Sequence, residues 1–286
     1  PEGWELPPFK AGAHIDLHLR KGLVRTYSLI NPPEDNRRYV IAVKREPDGR
    51  GGSAFVHEGI APGDNVWVSL PRGGMPLHEE RQIFIAGGIC VTPFLSVARH
   101  LLHCGRRDFT LHLITRGASP LSPELAELDL GDTLQVHDTS QGARPALAEL
   151  VEALPRDARI GFCGPDALLA AFEDTTRDRD SECIHIERFV PPPVIVDPAA
   201  RPYRLILHKS GVTIDVDAGK SLLDVLLENG FDIPWSCSGG ICGACRVNWL
   251  SGNPIHGDRV LRPEERATTL MACTAYCASE ELELDL

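Results

Sequence analysis

Short stretches of alternating apolar and polar residues dominate the first part of the chain. Four of them, each apolar, alternating or β-branched, lie between turn residues: AHIDLHL (13–19), VRTYSLI (24–30), YVIAVKR (39–45) and NVWVSLP (65–71). This alternation is typical of β-strands with one buried face. The first part of the sequence therefore predicts an antiparallel barrel or sandwich.

From Arg81 onward, apolar strand-like runs alternate with segments of helical spacing. IFIAGG precedes TPFLSVARHLLHCG, FTLHLIT precedes PELAEL, TLQVHD precedes ALAELVEAL, and RIGFCG precedes PDALLAAFED. CIHIERF (183–189) is the expected closing strand. Such alternation predicts βαβ units and a doubly wound parallel α/β sheet.

A proline-rich segment, VPPPVIVDPAARP, separates this region from the rest of the chain and predicts a stiff extended linker. Beyond it, YRLILHKSGVTIDVDAG predicts a hairpin, and a helix is expected from Ser221 to a stop at Gly230, which together give a small α+β domain. We therefore expect domains at 1–78, 79–190 and 203–286, with the linker at 191–202.

Composition and charge exclude several functional classes. The chain has 286 residues and a formal net charge of −11, which argues against binding to a nucleic acid. The longest apolar stretch, 83–98, is interrupted by glycine, threonine and proline, so no membrane span is expected. Nine cysteines, an odd number, favour a reducing cytoplasm over a disulfide-stabilised secreted fold. Residues 202–286 contain seven basic and twelve acidic residues and are therefore denser in negative charge than the rest.

Three of the cysteines, Cys237, Cys242 and Cys245, have C-x4-C-x2-C spacing in the glycine-rich segment CSGGICGAC, and Cys273 and Cys277 follow in LMACTAYC. This spacing is typical of plant-type 2Fe-2S clusters, in which four thiolates bind two irons. Glycines let such a loop pass close to the cluster. A zinc site and buried structural cysteines are the alternatives.

Residues 203–286 resemble a plant-type ferredoxin domain of β-grasp fold in the helix before the loop, the loop itself, the RVNWLSG strand and the terminal ELELDL strand. The resemblance implies that Cys273 is the fourth ligand, because the family places that cysteine after an apolar residue and before a short terminal segment. Cys277 would then be a spare thiol, although either cysteine could reach the loop.

Two short motifs in the first domain fit a flavin. Arg25, Thr26, Tyr27 and Ser28 form RTYS on a predicted strand, whose backbone can run along a flavin ring. The GRGGS segment combines a flexible backbone, a guanidinium and a hydroxyl, which together suit a phosphate. An ordinary strand surface and an ordinary hairpin turn are the alternatives. The expected flavin-binding residues beyond RTYS are Lys44, Arg50, Gly51, Gly52 and Ser53.

Two further motifs fit a dinucleotide. AGGICVTP contains Gly87 and Gly88 between a strand and a helix, where free N–H groups can face a pyrophosphate. FCGP places Cys163 and Gly164 before the last helix of the domain, although a buried cysteine before a turn is the alternative.

In this order the motifs resemble the ferredoxin reductase superfamily over residues 10–190. That resemblance implies that RTYS binds the flavin, that the turn ending in Thr92 and Pro93 binds the nicotinamide nucleotide, that Ser28 and Cys163 lie near flavin and nicotinamide, and that Phe189 stacks on the flavin. Cys90 departs from the pattern, because related sequences usually have a third glycine there.

The whole arrangement resembles reductases of the phthalate dioxygenase type, related to vanillate demethylase reductases. The resemblance implies FMN rather than FAD, NADH as donor, and an early barrel strand preceding Pro1. It implies a monomeric reductase that passes electrons from NADH through FMN and the cluster to a separate Rieske-type aromatic-ring dioxygenase or O-demethylase. The alternatives are a reductase for a haem monooxygenase or another acceptor, and a non-catalytic 2Fe-2S electron carrier with a decayed flavin domain. Use of NADPH, with Arg116 and Arg144 near its 2′-phosphate, also stays open.

Overall fold

A computed structural model describes residues 5–20, 23–47, 51–119, 121–140, 142, 147–189, 201–235, 237, 239–241 and 243–286. The chain forms two compact units, Pro1–Phe189 and Val190–Leu286. The predictions for Arg50, Arg144, Cys242 and linker residues 191–200 lie outside the described residues. Among the described residues, no helix combines the length and the apolar character that crossing a membrane requires.

The first unit begins with a small sheet of short antiparallel strands. In chain order its elements are β1 (Ala13–Arg20), β2 (Leu23–Ser28), α1 (Gly52–Gly59), β3 (Trp67–Val68) and β4 (Arg72–Gly73). All three other strands pair with β1, and in its register with β2, Thr26 lies opposite Asp16. The antiparallel character predicted from the alternation is confirmed.

The strand predicted at 39–45 does not form as a continuous ladder. Among the described residues, the pairing of this segment is an isolated bridge between Leu29 and Ile41. Next to it, the amide of Val40 donates to the side-chain oxygen of Asn31 (2.9 Å) rather than to a neighbouring strand. The buried Asn31 side chain also donates to two carbonyls of its own loop, so a polar side chain replaces part of the sheet pairing here. The alternation of apolar and polar residues in the sequence cannot reveal that a side chain replaces a neighbouring strand.

The second part of this unit is a parallel five-stranded sheet in the order β7-β6-β5-β8-β9. Its elements are β5 (Gln82–Gly87), α2 (Thr92–His103), β6 (Phe109–Thr115), α3 (Ser122–Ala126), β7 (Leu134–Asp138), α4 (Leu147–Glu152), β8 (Arg159–Cys163), α5 (Asp166–Thr175) and β9 (Ile184–Glu187). On one face, Phe84 packs on Phe94 of α2; on the other, Phe162 stacks on Phe172 of α5 with ring centroids 4.2 Å apart. Helices on both faces confirm the predicted doubly wound sheet.

A histidine pair in this sheet, in which His112 is buried and His137 is partly exposed, predicts a loss of stability in acid. The rings of His112 and His137 stack, with Nδ1 and Nε2 3.1 Å apart. Burial, and then the neighbouring His137 ring, lower the pKa of His112 to about 4. A histidine held neutral in the fold but protonated when unfolded stabilises the protein above pH ~6.5 and loses that contribution as the pH falls toward 4. At pH 5 the loss is about 2 kcal/mol, or about 4–8 °C in melting temperature.

We therefore expect the difference in melting temperature between pH 7.5 and pH 5 to be smaller by several degrees in His112→Gln than in the wild-type protein. Thermal unfolding followed by circular dichroism at both pH values measures this difference. Equal pH dependence in the two proteins would mean that other groups cause the acid sensitivity.

The second unit is an α+β sheet with one helix. Its elements are β10 (Tyr203–Leu207), β11 (Val212–Val216), α6 (Leu222–Glu228), β12 (Arg246–Ile255), β13 (Thr269–Met271) and β14 (Tyr276–Leu284), with strand order β11-β10-β14-β12-β13. Ser221 caps α6 by accepting from the amide of Asp224, and Gly230 follows the helix with φ of 84°. The predicted hairpin, helix and terminal strand are all confirmed.

Candidate functional site

Three of the four predicted cluster ligands meet in the second unit. Cys237 lies in the loop after α6, Cys245 precedes β12, and Cys273 follows β13. The neighbouring thiols of Cys237 and then Cys245 raise the pKa of the Cys273 thiol, which indicates that the three sulfur atoms are close together. The structure therefore brings together thiols that are 36 residues apart at most in the chain.

Backbone amides surround these sulfur atoms. Gly240 N–H donates to Cys273 Sγ (3.2 Å), Gly239 N–H to Cys237 Sγ (3.4 Å) and Cys273 N–H to Cys245 Sγ (3.5 Å). Amide donors to sulfur stabilise thiolates and set the potential of an iron–sulfur cluster. This donor set fits a 2Fe-2S cluster, with thiols as ligands and amides that offset their charge.

Gly240 shows why the loop requires glycine. Its φ is +70°, and a Cβ there would lie 2.8 Å from Asp258 Cα and 2.9 Å from Thr274 Oγ1. Both the left-handed backbone and the lack of space exclude a side chain. Behind it, the Arg259 amide donates to the Gly240 carbonyl (3.0 Å), which fixes the loop against the segment that contains Asp258.

Asp258 is a buried residue that the sequence analysis missed. Its Oδ2 accepts from the amides of Val260 (3.2 Å) and Leu261 (2.8 Å), while Arg266 donates to its carbonyl (2.8 Å). The side chain therefore orders the segment that supports Gly240. The sequence does not indicate these contacts, because an aspartate two residues after a histidine belongs to no recognised motif.

Cys277 has different neighbours from Cys237, Cys245 and Cys273. It lies on β14, and its Sγ is 3.2 Å from Ser279 Oγ and 3.4 Å from the Ser279 carbonyl. The structure thus separates the two cysteines that the sequence leaves as alternatives, with Cys273 beside Cys237 and Cys245. The assignment of Cys273 as fourth ligand stays a prediction.

The predicted flavin motifs lie side by side in the first unit. A Cβ at Gly52, the first residue of α1, would lie 2.6 Å from Nε of Arg25 on β2. The guanidinium of Arg25 therefore packs over the start of this helix, and Gly51 precedes it with φ of 75°. A helix start, whose first amides have no partner within the helix, fits the phosphate of FMN when an arginine lies beside it.

The other predicted flavin residues lie around this point. Ser53 accepts a hydrogen bond from the amide of Glu46 (3.1 Å), and Lys44 forms an ion pair with Glu46 (2.5 Å). Tyr27 is half-buried and Ser28 is buried at the end of β2. Burial raises the pKa of the Tyr27 hydroxyl, with a smaller opposing effect of Arg25, so the hydroxyl stays protonated as a hydrogen-bond donor.

The sequence analysis missed Asp16, a polar residue on the strand that pairs with RTYS. Asp16 is 6% exposed, accepts a hydrogen bond from Thr26 Oγ1 (2.6 Å), and forms an ion pair with Arg72 (2.5 Å). These contacts orient Thr26 on the flavin strand. Asp16 occupies a polar position of an alternating strand, where sequence alone predicts a solvated side chain.

The two nucleotide motifs meet at the carboxyl edge of the parallel sheet. Gly87 ends β5, and a Cβ there would lie 2.7 Å from Pro165 Cδ, so the AGG turn and the CGP turn touch. Gly88 has φ of 58° with open space beside it. Thr92 and Pro93 then begin α2. This edge, with glycines before a helix start, is where doubly wound sheets bind dinucleotides.

Cys163, Gly164 and Phe189 lie at or just after the ends of β8 and β9. Cys163 ends β8 and is fully buried, and Gly164 follows it directly. Phe189 follows β9 and is 40% exposed, unusually high for an aromatic side chain. Its exposed ring is available for stacking, which stays a prediction.

Hydrogen bonds join the flavin strand to the nucleotide helix within this unit. Ser96 of α2 donates from its buried hydroxyl to the carbonyl of Asn31 (2.8 Å), and Arg99 of α2 donates to the carbonyl of Ile30 (2.5 Å). Both carbonyls lie just after Ser28, the last residue of RTYS. The segment that continues the flavin strand is thereby fixed to the helix that begins at the nucleotide turn.

Comparison with known proteins identifies relatives that match nearly the whole chain. A model of the 2Fe-2S iron-sulfur cluster binding domain matches residues 205–278. The phenoxybenzoate dioxygenase subunit beta of Ectopseudomonas oleovorans is 40% identical over 98% of this chain and 89% of that protein. The phthalate dioxygenase reductase of Burkholderia cepacia is 37% identical over 100% of this chain and 90% of that protein.

Two solved structures match at nearly full length of this chain. Phthalate dioxygenase reductase, described as a modular structure for electron transfer from pyridine nucleotides to [2Fe-2S], matches with a TM-score of 0.73 and 36% identity over 100% of this chain and 91% of that one. An intact type IV self-sufficient cytochrome P450 monooxygenase matches with a TM-score of 0.80 and 32% identity over 99% of this chain and 38% of that one.

These full-length matches agree with the cofactor sites described above. They favour 2Fe-2S over zinc in the cysteine loop and an active reductase over a carrier with a decayed flavin domain. The chain belongs to the phthalate dioxygenase reductase family and is an NADH-dependent reductase component of an oxygenase system, with FMN and a 2Fe-2S cluster as cofactors.

Proposed function

We propose that this reductase passes electrons from NADH, one at a time, to a separate Rieske-type terminal oxygenase that acts on an aromatic compound. The main support is the connection between α2 and the end of the flavin strand through Ser96 and Arg99. A nucleotide bound at the start of α2 and a flavin bound along RTYS would then lie on one fixed framework. Such a framework suits hydride transfer, which requires close and constant positioning.

Residues of the first unit bind and orient the two organic cofactors. Arg25 and the start of α1 would bind the FMN phosphate, with Ser53 and Lys44 nearby. Thr26, whose hydroxyl donates to Asp16, would lie along the flavin ring. Gly87 and Gly88 would admit the pyrophosphate, and Cys163 would lie near the nicotinamide. FMN held by these residues would supply the link between a two-electron hydride donor and a one-electron acceptor.

Residues of the second unit would bind the cluster. The proposed ligands are Cys237, Cys242, Cys245 and Cys273. The amides of Gly239, Gly240 and Cys273 stabilise the sulfur atoms, while Asp258 orders the segment that supports the loop.

The charge of the second unit supports a transient partner rather than a permanent one. Twelve acidic residues against seven basic ones in 202–286 would attract a basic patch on the oxygenase and raise the rate of encounter. We expect the reductase itself to be a monomer in a reducing compartment such as the cytoplasm.

An anaerobic titration with NADH tests the electron path. Flavin absorbance at about 450 nm should bleach and the electron paramagnetic resonance signal of the reduced cluster should appear within the same titration, as expected for a flavin and cluster in one chain. A cluster signal that requires dithionite, with no bound flavin, would contradict the proposal. Flavin bleaching without a cluster signal would contradict the transfer step alone.

A haem monooxygenase is the second candidate acceptor. The match over 99% of this chain to part of a self-sufficient cytochrome P450 monooxygenase favours it, because a cytochrome P450 is a haem enzyme. Reconstitution with a purified Rieske oxygenase and with a purified haem monooxygenase separates the candidates. We expect the Rieske oxygenase to be reduced faster, at a rate that falls as salt rises; the opposite preference would favour the haem partner.

A further inference from the structure

A group of three side chains with different donor atoms lies at the C-terminal end of α2, the opposite end from the nucleotide turn. The group consists of Glu34, His100 and Cys104, and one donor atom from each lies within 4.8 Å of the others. Nδ1 of His100 is 2.6 Å from Glu34 Oε1, and Nε2 of the same ring is 3.9 Å from Cys104 Sγ. The imidazole therefore lies between a carboxylate and a thiol, both of which belong to exposed residues.

The end of α2 fixes two of these side chains. His100 and Cys104 are four residues apart, so they lie on the same face of the helix, one turn from each other. Just after them, Gly105 has φ of 73°, and the Arg106 amide donates to the Leu101 carbonyl (2.8 Å). A left-handed glycine with this hydrogen bond is a Schellman motif, which holds the last turn of a helix in place. The backbone that presents the thiol is thereby fixed.

The third side chain comes from a turn that is also well ordered by hydrogen bonds. The Asp35 amide donates to the Pro32 carbonyl (3.0 Å), so Glu34 lies inside a hydrogen-bonded turn. The buried Asn31 side chain donates to the carbonyls of Asp35 (2.8 Å) and Arg38 (3.0 Å) and closes the same loop. The carboxylate is therefore presented to the helix by a hydrogen-bonded backbone.

The three donor atoms are those that zinc prefers. Zinc binds thiolate sulfur, imidazole nitrogen and carboxylate oxygen at about 2.0–2.3 Å, with four ligands in a tetrahedron, so donor atoms on one ion are about 3.3–3.7 Å apart. The contact of 3.9 Å between His100 and Cys104 is close to that spacing, and rotation of the exposed side chains supplies the rest. One thiolate and one carboxylate also balance the two positive charges of the ion.

We propose that Glu34, His100 and Cys104 bind one zinc ion, with water as the fourth ligand, and that this ion links the loop after the flavin strand to α2. Ser96 and Arg99 of the same helix already donate to carbonyls at the start of this loop. The ion adds a third connection, eight residues or about 12 Å along the helix from its first residue. On binding, zinc displaces the thiol proton to the solvent, and no electron is transferred.

Protection of Cys104 from alkylation tests the site in the complete holoprotein, with flavin and cluster bound and no thiol reductant in the buffer. Trypsin releases this exposed cysteine in the peptide His100–Arg106, which mass spectrometry follows. We expect zinc at about 10 µM to slow the reaction with iodoacetamide about tenfold or more, and EDTA to restore it, because the thiolate is both the nucleophile and the ligand. Magnesium, which prefers oxygen ligands, should have no effect. An unchanged rate with zinc would overturn the proposal.

Cys183 provides an internal control in the same digest. It is partly exposed, its thiol donates to the Asp157 carbonyl, and trypsin releases it in a separate peptide, Asp180–Arg188. Its rate of alkylation should not change with zinc. Equal protection of Cys183 and Cys104 would indicate unspecific binding of zinc to thiols and would also overturn the proposal.

His100→Gln distinguishes a metal ligand from a residue that only supports the fold. Glutamine can still donate to Glu34, but it is not among the usual zinc ligands. We expect zinc to bind this variant about 100-fold more weakly or worse, since loss of a hydrogen-bond partner of a ligand already costs about 10- to 100-fold. His103→Gln is the matched control, because His103 is exposed on the same helix and lies outside the group. Equal weakening in both variants would contradict the assignment of His100.

Zinc and iron contents of the same sample separate this site from the cysteine loop of the second unit. After equilibrium dialysis against about 10 µM zinc, the wild-type protein should contain about one zinc per chain with its iron retained, and Cys104→Ser about a tenth of that zinc or less. Zinc that enters only as iron is lost would lie in the cysteine loop, and the proposal would be wrong. None of these measurements uses NADH or an electron acceptor, so their failure leaves the proposed function untouched.

Discussion

Replacement of Cys245 by serine should abolish electron delivery to the oxygenase while NADH-dependent dye reduction continues. Cys245 is 3% exposed, and its sulfur accepts from the amide of Cys273 (3.5 Å), so it lies inside the predicted ligand set. An alcohol is a poor substitute for a thiolate ligand of iron. We expect loss of the cluster signal and a fall in the rate of oxygenase reduction of about 100-fold or more. Removal of a hydrogen-bond partner of a metal ligand lowers metal affinity or activity by about 10- to 100-fold, and loss of the ligand itself should cost more.

Dye reduction by Cys245→Ser should stay within about twofold of wild type, because the flavin and nucleotide motifs lie in the other compact unit. Loss of both activities would mean that the cysteine loop is needed for folding of the whole chain.

Cys277→Ser is the matched control, since Cys277 is equally buried and lies only four residues after Cys273. Serine can still donate to the Ser279 carbonyl, so the cluster content should equal that of the wild type. A cluster lost in Cys277→Ser but retained in Cys273→Ser would reverse the assignment of the fourth ligand. Iron and sulfide content per chain, with visible absorbance, measures both variants.

The elements that could be predicted from the sequence are those with strong local patterns. The apolar run before Gly87 and the helical spacing after Thr92 give β5 and α2 without reference to the rest of the chain. The C-x4-C-x2-C spacing predicts the cysteine loop in the same way, because its ligands are close in sequence.

Contacts between distant segments could not be predicted. Asp16 and Thr26 are opposite each other only through the register of β1 and β2, and Gly87 meets Pro165 only through the order of the parallel strands. The segment 39–45 alternates like a strand, yet Asn31 takes over a hydrogen bond that a neighbouring strand would supply. Local spacing contains no information on these partners, whereas tertiary packing selects them.

Replacement of Arg25 by alanine should produce a protein that loses its flavin. The Arg25 guanidinium lies over Gly52 at the start of α1, where the phosphate of FMN is proposed to bind. Loss of a charge-assisted hydrogen bond costs about 1.5–3 kcal/mol, which corresponds to an increase of about 10- to 150-fold in the dissociation constant for FMN. Flavin content after gel filtration and fluorescence titration with FMN measure this change.

Restoration by excess FMN distinguishes weaker binding from a damaged fold. Dye reduction by Arg25→Ala should be low as purified and should recover when FMN is added well above the new dissociation constant. Arg38→Ala is the matched control, because Arg38 pairs with Asp35 and its side chain is 71% exposed, so its flavin content should not change. If Arg25→Ala retains wild-type flavin content, the phosphate does not bind at the start of α1. If added FMN fails to restore the rate, Arg25 instead stabilises the antiparallel part of the first unit.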